Sequence, residues 1–110
     1  MKVLRLTTDI WISAYRAKLE REGIPFYFYK TGHKSAGAIL IKVVDFKGEV
    51  ELYHRINDFN GRQKWDKLLS GNEEQIDNAI KNQCNFDPDV WVLVIDDPKG
   101  KKYLTEFEEY

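Results

Sequence analysis

The sequence has 110 residues, with 17 Lys plus Arg against 18 Asp plus Glu, a formal net charge of −1 and 43% hydrophobic residues. One soluble globular domain fits that balance, and a disordered chain or a dedicated basic nucleic-acid tail does not. A lone cysteine, Cys84, excludes an intrachain disulfide and every multi-cysteine zinc or iron–sulfur framework.

Thr8 and Asp9 are helix N-cap types, and Ile10, Trp11, Ala14, Tyr15 and Leu19 follow on one arc at the helical period, so a helix is expected from about Asp9 to Glu22. Gly23 suits the position after the last turn, where a left-handed backbone carries no Cβ penalty, and Pro25 blocks continuation. Phe26 to Tyr29 is aromatic on both faces and predicts a strand ending near Lys30, followed by a polar loop from Thr31 to Ser35. Gly37 to Val44 is β-branched and too apolar for an exposed edge, which places it centrally in a sheet. Lys47-Gly48 turns the chain into Glu49 to Ile56, whose alternation through Leu52 marks a strand with one wet face, paired with its predecessor as an antiparallel hairpin.

Asn57 to Gly61 reads as a loop, and Gln63 to Leu69 fits either a short helix or a bulged strand, with strand preferred. Asn72 can cap a second helix, with Glu73 and Glu74 complementing its N-terminal dipole and Ile76, Ala79, Ile80, Gln83 and Cys84 along one stripe to an end near Asn85. Val90 to Ile95 is a buried strand by length and β-branching. Asp96-Asp97 starts a turn through Gly100, and a last strand is expected around Tyr103 to Phe107. The expectation is a single α+β domain, with a mostly antiparallel sheet of about five strands and two helices packed on one face.

Charge is spread unevenly. Residues 1–55 hold 10 basic and 6 acidic side chains, and residues 56–110 hold 7 and 12. Two electrostatically distinct surfaces, a head-to-tail self-association and plain interleaving of the halves are all compatible with this. The longest apolar run, Val90 to Ile95, is six residues, where a spanning helix needs about 20. With no apolar signal-peptide core near Met1 and one unpaired thiol, the expected home is the cytoplasm, with no membrane segment.

His33 lies beside Lys30, Gly32 and Lys34, where an anion contact is chemically reasonable. The segment lacks the first glycine of a phosphate-binding loop, so a solvated loop is the stronger reading. His33, His54 and Cys84 are far apart in sequence and no His-Glu-x-x-His occurs, so neither a metal nor another cofactor is expected. Cys84 falls near a helix C-terminus, where the dipole disfavours a thiolate, and reads as an inert packed residue. Asp87-Pro88-Asp89 sets two carboxylates across a proline before the most buried strand. They could form an acid/base pair or hold a cation, but a carboxylate satisfying its own turn explains them better. If they do form a polar site, its partners are Arg16 or the Lys30 to Lys34 loop with His33. Trp11 and Trp91 belong to apolar patterns, whereas Trp65, between Lys64 and Lys67, is the tryptophan expected to show an exposed face at an interface.

Three segments carry a family likeness: Asp9-Ile10-Trp11-Ile12-Ser13-Ala14-Tyr15-Arg16, Ala36-Gly37-Ala38-Ile39-Leu40-Ile41-Lys42-Val43, and Phe86-Asp87-Pro88-Asp89-Val90-Trp91 followed by Ile95-Asp96-Asp97. In order and spacing they resemble the alphaproteobacterial domain-of-unknown-function family numbered fourteen ninety-one. The resemblance implies a small α+β protein of the bacterial cytoplasm and no activity to carry over, and residues Asn57 to Gly71 match it poorly. The leading expectation is a non-enzymatic interaction protein burying an aromatic-lined interface, in a homodimer. The alternative is an enzyme or small-ligand protein with its site at Asp87 and Asp89. A third reading is RNA contact through the basic N-terminal half, against which a pI near 6.1 argues.

Overall fold

The computed structural model describes residues 7–45, 47–57, 63–97 and Leu104. Helix α1 (Thr8–Glu22) starts from Thr7, an extended residue whose side chain makes no cap bond. Its hydroxyl donates instead to Asp9 Oδ1 at 2.7 Å, which holds the Asp9 carboxyl below its ordinary range. Thr8, expected as a cap, is helical and turned inward, its hydroxyl donating to Gly37 O at 2.9 Å. The helix stops as its sequence requires: Gly23 adopts φ 69°, Gly23 N donates to Glu20 O and Ile24 N to Leu19 O, so the last carbonyls are satisfied before Pro25.

The strands are β1 (Phe26–Lys30), β2 (Ile39–Asp45), β3 (Val50–Asn57), β4 (Gln63–Gly71) and β5 (Trp91–Asp97), with helix α2 (Glu73–Phe86) between the last two. They form one five-stranded sheet in the order β1-β5-β2-β3-β4. Three neighbouring pairs are antiparallel, and β2 with β5 is parallel, from Ile39 opposite Trp91 to Asp45 opposite Asp97. The fold is α+β with a mostly antiparallel sheet, and β2 is central as its apolar run requires. Residues 63–69 belong to a bulged strand, with Leu68 as the extra residue between the pairs Leu52 with Leu69 and Tyr53 with Lys67.

Two expectations are corrected. The helices lie on opposite faces of the sheet. Trp11, Ile12, Tyr15 and Leu19 of α1 pack with Ile39, Ile41, Val43, Leu93 and Ile95, whereas Ile76 and Ile80 of α2 pack with Leu40, Val50, Leu52 and Val92. The reason is the parallel pair: β2 and β5 are buried on both faces, and joining β4 to a strand parallel to β2 needs a crossover, which α2 supplies on the face α1 leaves open. Asp96 and Asp97 are not a turn, because β5 runs on through both and Asp97 is buried. Asn57 of the expected loop Asn57 to Gly61 ends β3, and the rest of that loop and the last strand expected around Tyr103 to Phe107 lie outside the described residues, Leu104 alone excepted, which packs against the α1-side core.

Helix α2 opens with a capping box: Asn72 Oδ1 accepts from Gln75 N at 2.9 Å, and Gln75 Oε1 accepts from Asn72 N at 3.1 Å. Because α2 anchors only Ile76 and Ile80 as fully buried residues, its first turn depends on this cap. Asn72→Ala is expected to lower stability by about 1 kcal/mol, read as a shift in the urea midpoint with an unchanged slope.

Candidate functional site

Of the residues singled out around Asp87, Lys30 and His33 meet the Asp87 to Asp89 turn in a knot of hydrogen bonds to its backbone. The loop after β1 packs on the 87–91 turn through backbone: His33 N donates to Asp89 O at 2.9 Å, and Trp91 Nε1 donates to His33 O at 2.7 Å. Asp9 N at the start of α1 donates to Lys34 O at 2.8 Å. The Lys30 ammonium donates to the carbonyls of Pro88, Val90 and Thr31, not to a carboxylate. Asp87 Oδ1 accepts from Asp89 N at 3.0 Å, the turn-closing role its place before Pro88 implied. His33 Nδ1 lies 3.3 Å from both Ser35 N and Ala36 N, whose donated bonds fold the loop back on itself. Arg16 is engaged on α1, its Nε 3.0 Å from Glu20 Oε1 and its guanidinium over the Phe26 ring. Lys30 and His33 thus border the Asp87 to Asp89 turn, Lys34 is tied through its carbonyl to the start of α1, and the Asp89 side chain is exposed.

A different surface is open. Helix α2 covers β2, β3 and Val92 of β5 but leaves Tyr27 of β1 and Asp96 of β5 exposed on the same face, beside a groove of about 420 Å³ lined by Pro25, Tyr27, Lys42, Glu73, Val94 and Asp96. Lys42 forms part of its wall. It is 6% exposed, and its ammonium is held by Glu73 and, at 2.9 Å, by Asp77 Oδ1. Burial alone would lower the Lys42 pKa, but the two carboxylates outweigh it and hold the group above its ordinary value. The two charge-opposed halves of the sequence therefore interleave here, a basic residue of one held by two acids of the other.

At the groove's outer side lies the sheet edge. Tyr27 is 57% and Tyr29 52% exposed, while Phe26 and Phe28, alternating with them, are half-buried against the α1-side core. Asp96 N donates to Pro25 O at 2.9 Å, so Pro25 and Tyr27 turn their backbone groups toward β5. By antiparallel alternation the N–H and C=O of Phe26 and Phe28 point away from the sheet, into the position an added strand would occupy. The opposite edge is guarded: β4 carries Lys64, Asp66 and Lys67 and is kinked by its bulge at Leu68. Trp65 on that strand is half-buried, its ring 5.4 Å from that of Trp11, with the Arg55 guanidinium also over Trp11.

Sequence reasoning passed over Lys42, Glu73, Asp77 and Tyr27 as a group. The available signal was a single lysine inside the apolar run Ile39 to Val44, since a charge buried in a central strand must find carboxylate partners. Two tyrosines also titrate abnormally. Burial, then the buried Asp97, pushes the Tyr15 phenol well above its ordinary value of 10.0. Burial and its hydrogen bond to Glu51 push Tyr53 up to about 12. A folded value above the unfolded one means stability that is whole below pH 10 and is lost as pH rises toward the folded value. In an alkaline titration, tyrosinate absorbance from Tyr15 and Tyr53 is expected to appear together with loss of near-ultraviolet dichroism. Ionisation of all tyrosines near pH 10 with the fold intact would contradict this.

Among the described residues, no group of three His, Cys, Asp or Glu is placed to hold a metal ion, and no helix is long and apolar enough to cross a membrane. Comparison with known proteins places this arrangement in a family. A family model described as a protein of unknown function, DUF1491, matches residues 6–105. A crystal structure of a DUF1491 protein from Caulobacter crescentus is 33% identical with a TM-score of 0.86, over 93% of this chain and 97% of that one. An NMR structure of a DUF1491 protein from the same organism is 31% identical with a TM-score of 0.82, over 94% and 96%. A solution structure from Agrobacterium tumefaciens, 23% identical with a TM-score of 0.77 over 93% and 94%, shares the fold. No curated protein matches the sequence.

Proposed function

The chain belongs to the DUF1491 family, and from a sheet edge that no described strand covers we propose that it is a non-enzymatic interaction module that accepts a protein strand along β1. One observation carries this reading: an edge strand whose first four residues, Phe26 to Tyr29, bear no charge exposes two tyrosines by more than half. Strand addition uses such edges, with main-chain hydrogen bonds supplying affinity and alternate side-chain pockets supplying selectivity. The groove beside Tyr27 offers one such pocket. The partner is a protein, a second copy of the chain included, and a pI near 6.1 argues against RNA. A bacterial cytoplasmic setting is supported by Cys84, a free and partly packed thiol.

The test is a titration of isotope-labelled protein with a short synthetic peptide alternating valine and lysine. The Phe26 and Phe28 amide resonances are expected to shift saturably while those of Asp66 and Lys67 stay fixed. No response at β1 up to millimolar peptide would remove the reading. A small-ligand site at Asp87 and Asp89 with His33 and Lys34 is the second reading, favoured by the contact between the two loops. Against it, Asp87 and Lys30 already spend their polar atoms on the turn.

A further inference from the structure

We infer that the strand seated on β1 is the β1 of a second copy, related by a two-fold axis passing through Tyr27. This rests on the reading of β1 as a strand-accepting edge, and backbone geometry narrows the register. Only Phe26 and Phe28 turn both their N–H and C=O outward, and the register with β5 shifts between Phe28 and Lys30, so the regular outer edge is confined to the three residues Phe26, Tyr27 and Phe28. The one antiparallel register that uses both outward residues pairs Phe26 with Phe28 of the second copy and the reverse. It closes four backbone hydrogen bonds and sets the two Tyr27 side chains directly opposite each other on the α2 side.

Charge selects the same orientation. Lys30 stands at one end of β1, while the exposed Asp96 lies opposite Pro25 at the other, Glu73 in the same groove being held by Lys42. Antiparallel pairing brings the basic end of each copy toward the acidic end of its mate, whereas parallel pairing would set like beside like. The contact is self-complementary, as an isologous two-fold requires, and it ends at two chains because the only other edge among the described strands, β4, is bulged and charged. A strand pair with its flanking tyrosines sits at the small end of stable interfaces, so the dimer is weak and concentration-dependent.

Sedimentation equilibrium on the full chain, run from low micromolar to millimolar concentration, tests this. The wild type is expected to pass from monomer to dimer, and Leu68→Lys on β4 to behave identically. Tyr27→Lys and Tyr27→Glu each place like charges face to face across the axis and are expected to weaken self-association by about tenfold or more. Mixing the two variants is expected to restore a dimer of the two together, since opposite charges meet only if position 27 faces position 27. That gain is one misfolded chains could not give. A dimer that survives both substitutions, or variants that fail to complement each other, would overturn the proposal. A wild type that stays monomeric while its Phe26 and Phe28 amides still answer the valine–lysine peptide would overturn the second copy and leave the strand-accepting edge standing.

Discussion

Gly32→Ala is expected to cost about 3 kcal/mol of stability, the upper end for one added methyl group. Gly32 has no left-handed backbone, so the cost is one of space. A Cβ there would land on the Asp89 carbonyl oxygen, with Val90 C at 2.7 Å and Asp89 C at 2.8 Å, all of them backbone atoms with no flexible tip to swing aside. The nearest relief is to push the loop off the 87–91 turn, which breaks the bond from His33 N to Asp89 O and draws Trp91 Nε1 from His33 O. Gly23 and Gly48 make the control: nothing lies within 4 Å of a Cβ at either, and their positive φ alone sets a cost of about 1–2 kcal/mol for alanine. Denaturant midpoints for the three variants check the ranking. A Gly32→Ala protein less perturbed than Gly23→Ala would show that the knot yields.

The second large effect concerns Lys42, and its sign depends on which partner is removed. Replacing both Glu73 with Gln and Asp77 with Asn leaves an ammonium in a site 6% exposed with its counter-charges gone. Breaking a fully buried pair this way costs several kcal/mol. Both carboxylates are more than half exposed, so water screens them and the expected loss is about 2 kcal/mol. Lys42→Met keeps the stem's packing, removes the desolvated charge and leaves two carboxylates that solvent already reaches, so it is expected to change stability by less than about 1 kcal/mol. The pair also predicts a pH signature. Because the folded Lys42 value is raised, its contribution is complete below the ordinary value of 10.5 and fades as pH climbs through the folded one. The stability of the wild type relative to Lys42→Met should therefore fall as pH passes 10.5. Curves that stay parallel would remove the charge from the account.

Much of this was legible in local sequence because the deciding physics was local. Gly23 before Pro25 ended α1, Asn72 capped α2, and the alternation from Val50 to Leu52 marked a strand with one wet face, whereas the return bond from Gln75 that completes the cap was not anticipated. The side of the sheet each helix covers was not legible. That choice follows from β5 pairing parallel to β2, a contact between residues about fifty positions apart that leaves no trace in either strand's own pattern. The same pairing explains the misread Asp96 and Asp97: two acids in a row look like a turn, yet β5 needed partners for Val44 and Asp45 and continued through them. At the Asp87-Pro88-Asp89 signature the residue types were informative but their meaning was not. A carboxylate that closes a turn and one that handles protons share one spelling, and the bond from Asp89 N to Asp87 speaks for the first role alone. Tyr27 read as one more strand aromatic, since a strand's place at the edge depends on the neighbour it lacks.

The position of β5 bears on how the molecule is made. The only sheet neighbour of β1 among the described strands is β5, which ends at Asp97, so the ribosome must add more than sixty residues after Lys30 before the aromatic strand has a mate. At about 5–20 residues per second, that leaves Phe26 to Tyr29 unpaired for several seconds on every nascent chain, a sequence rich in β-formers and free of charge. Helix α1 is complete well before then. Its apolar face, Trp11, Tyr15 and Leu19, is the surface available to shield Phe26 and Phe28 through the wait, an early custodian for a strand whose seat is made last.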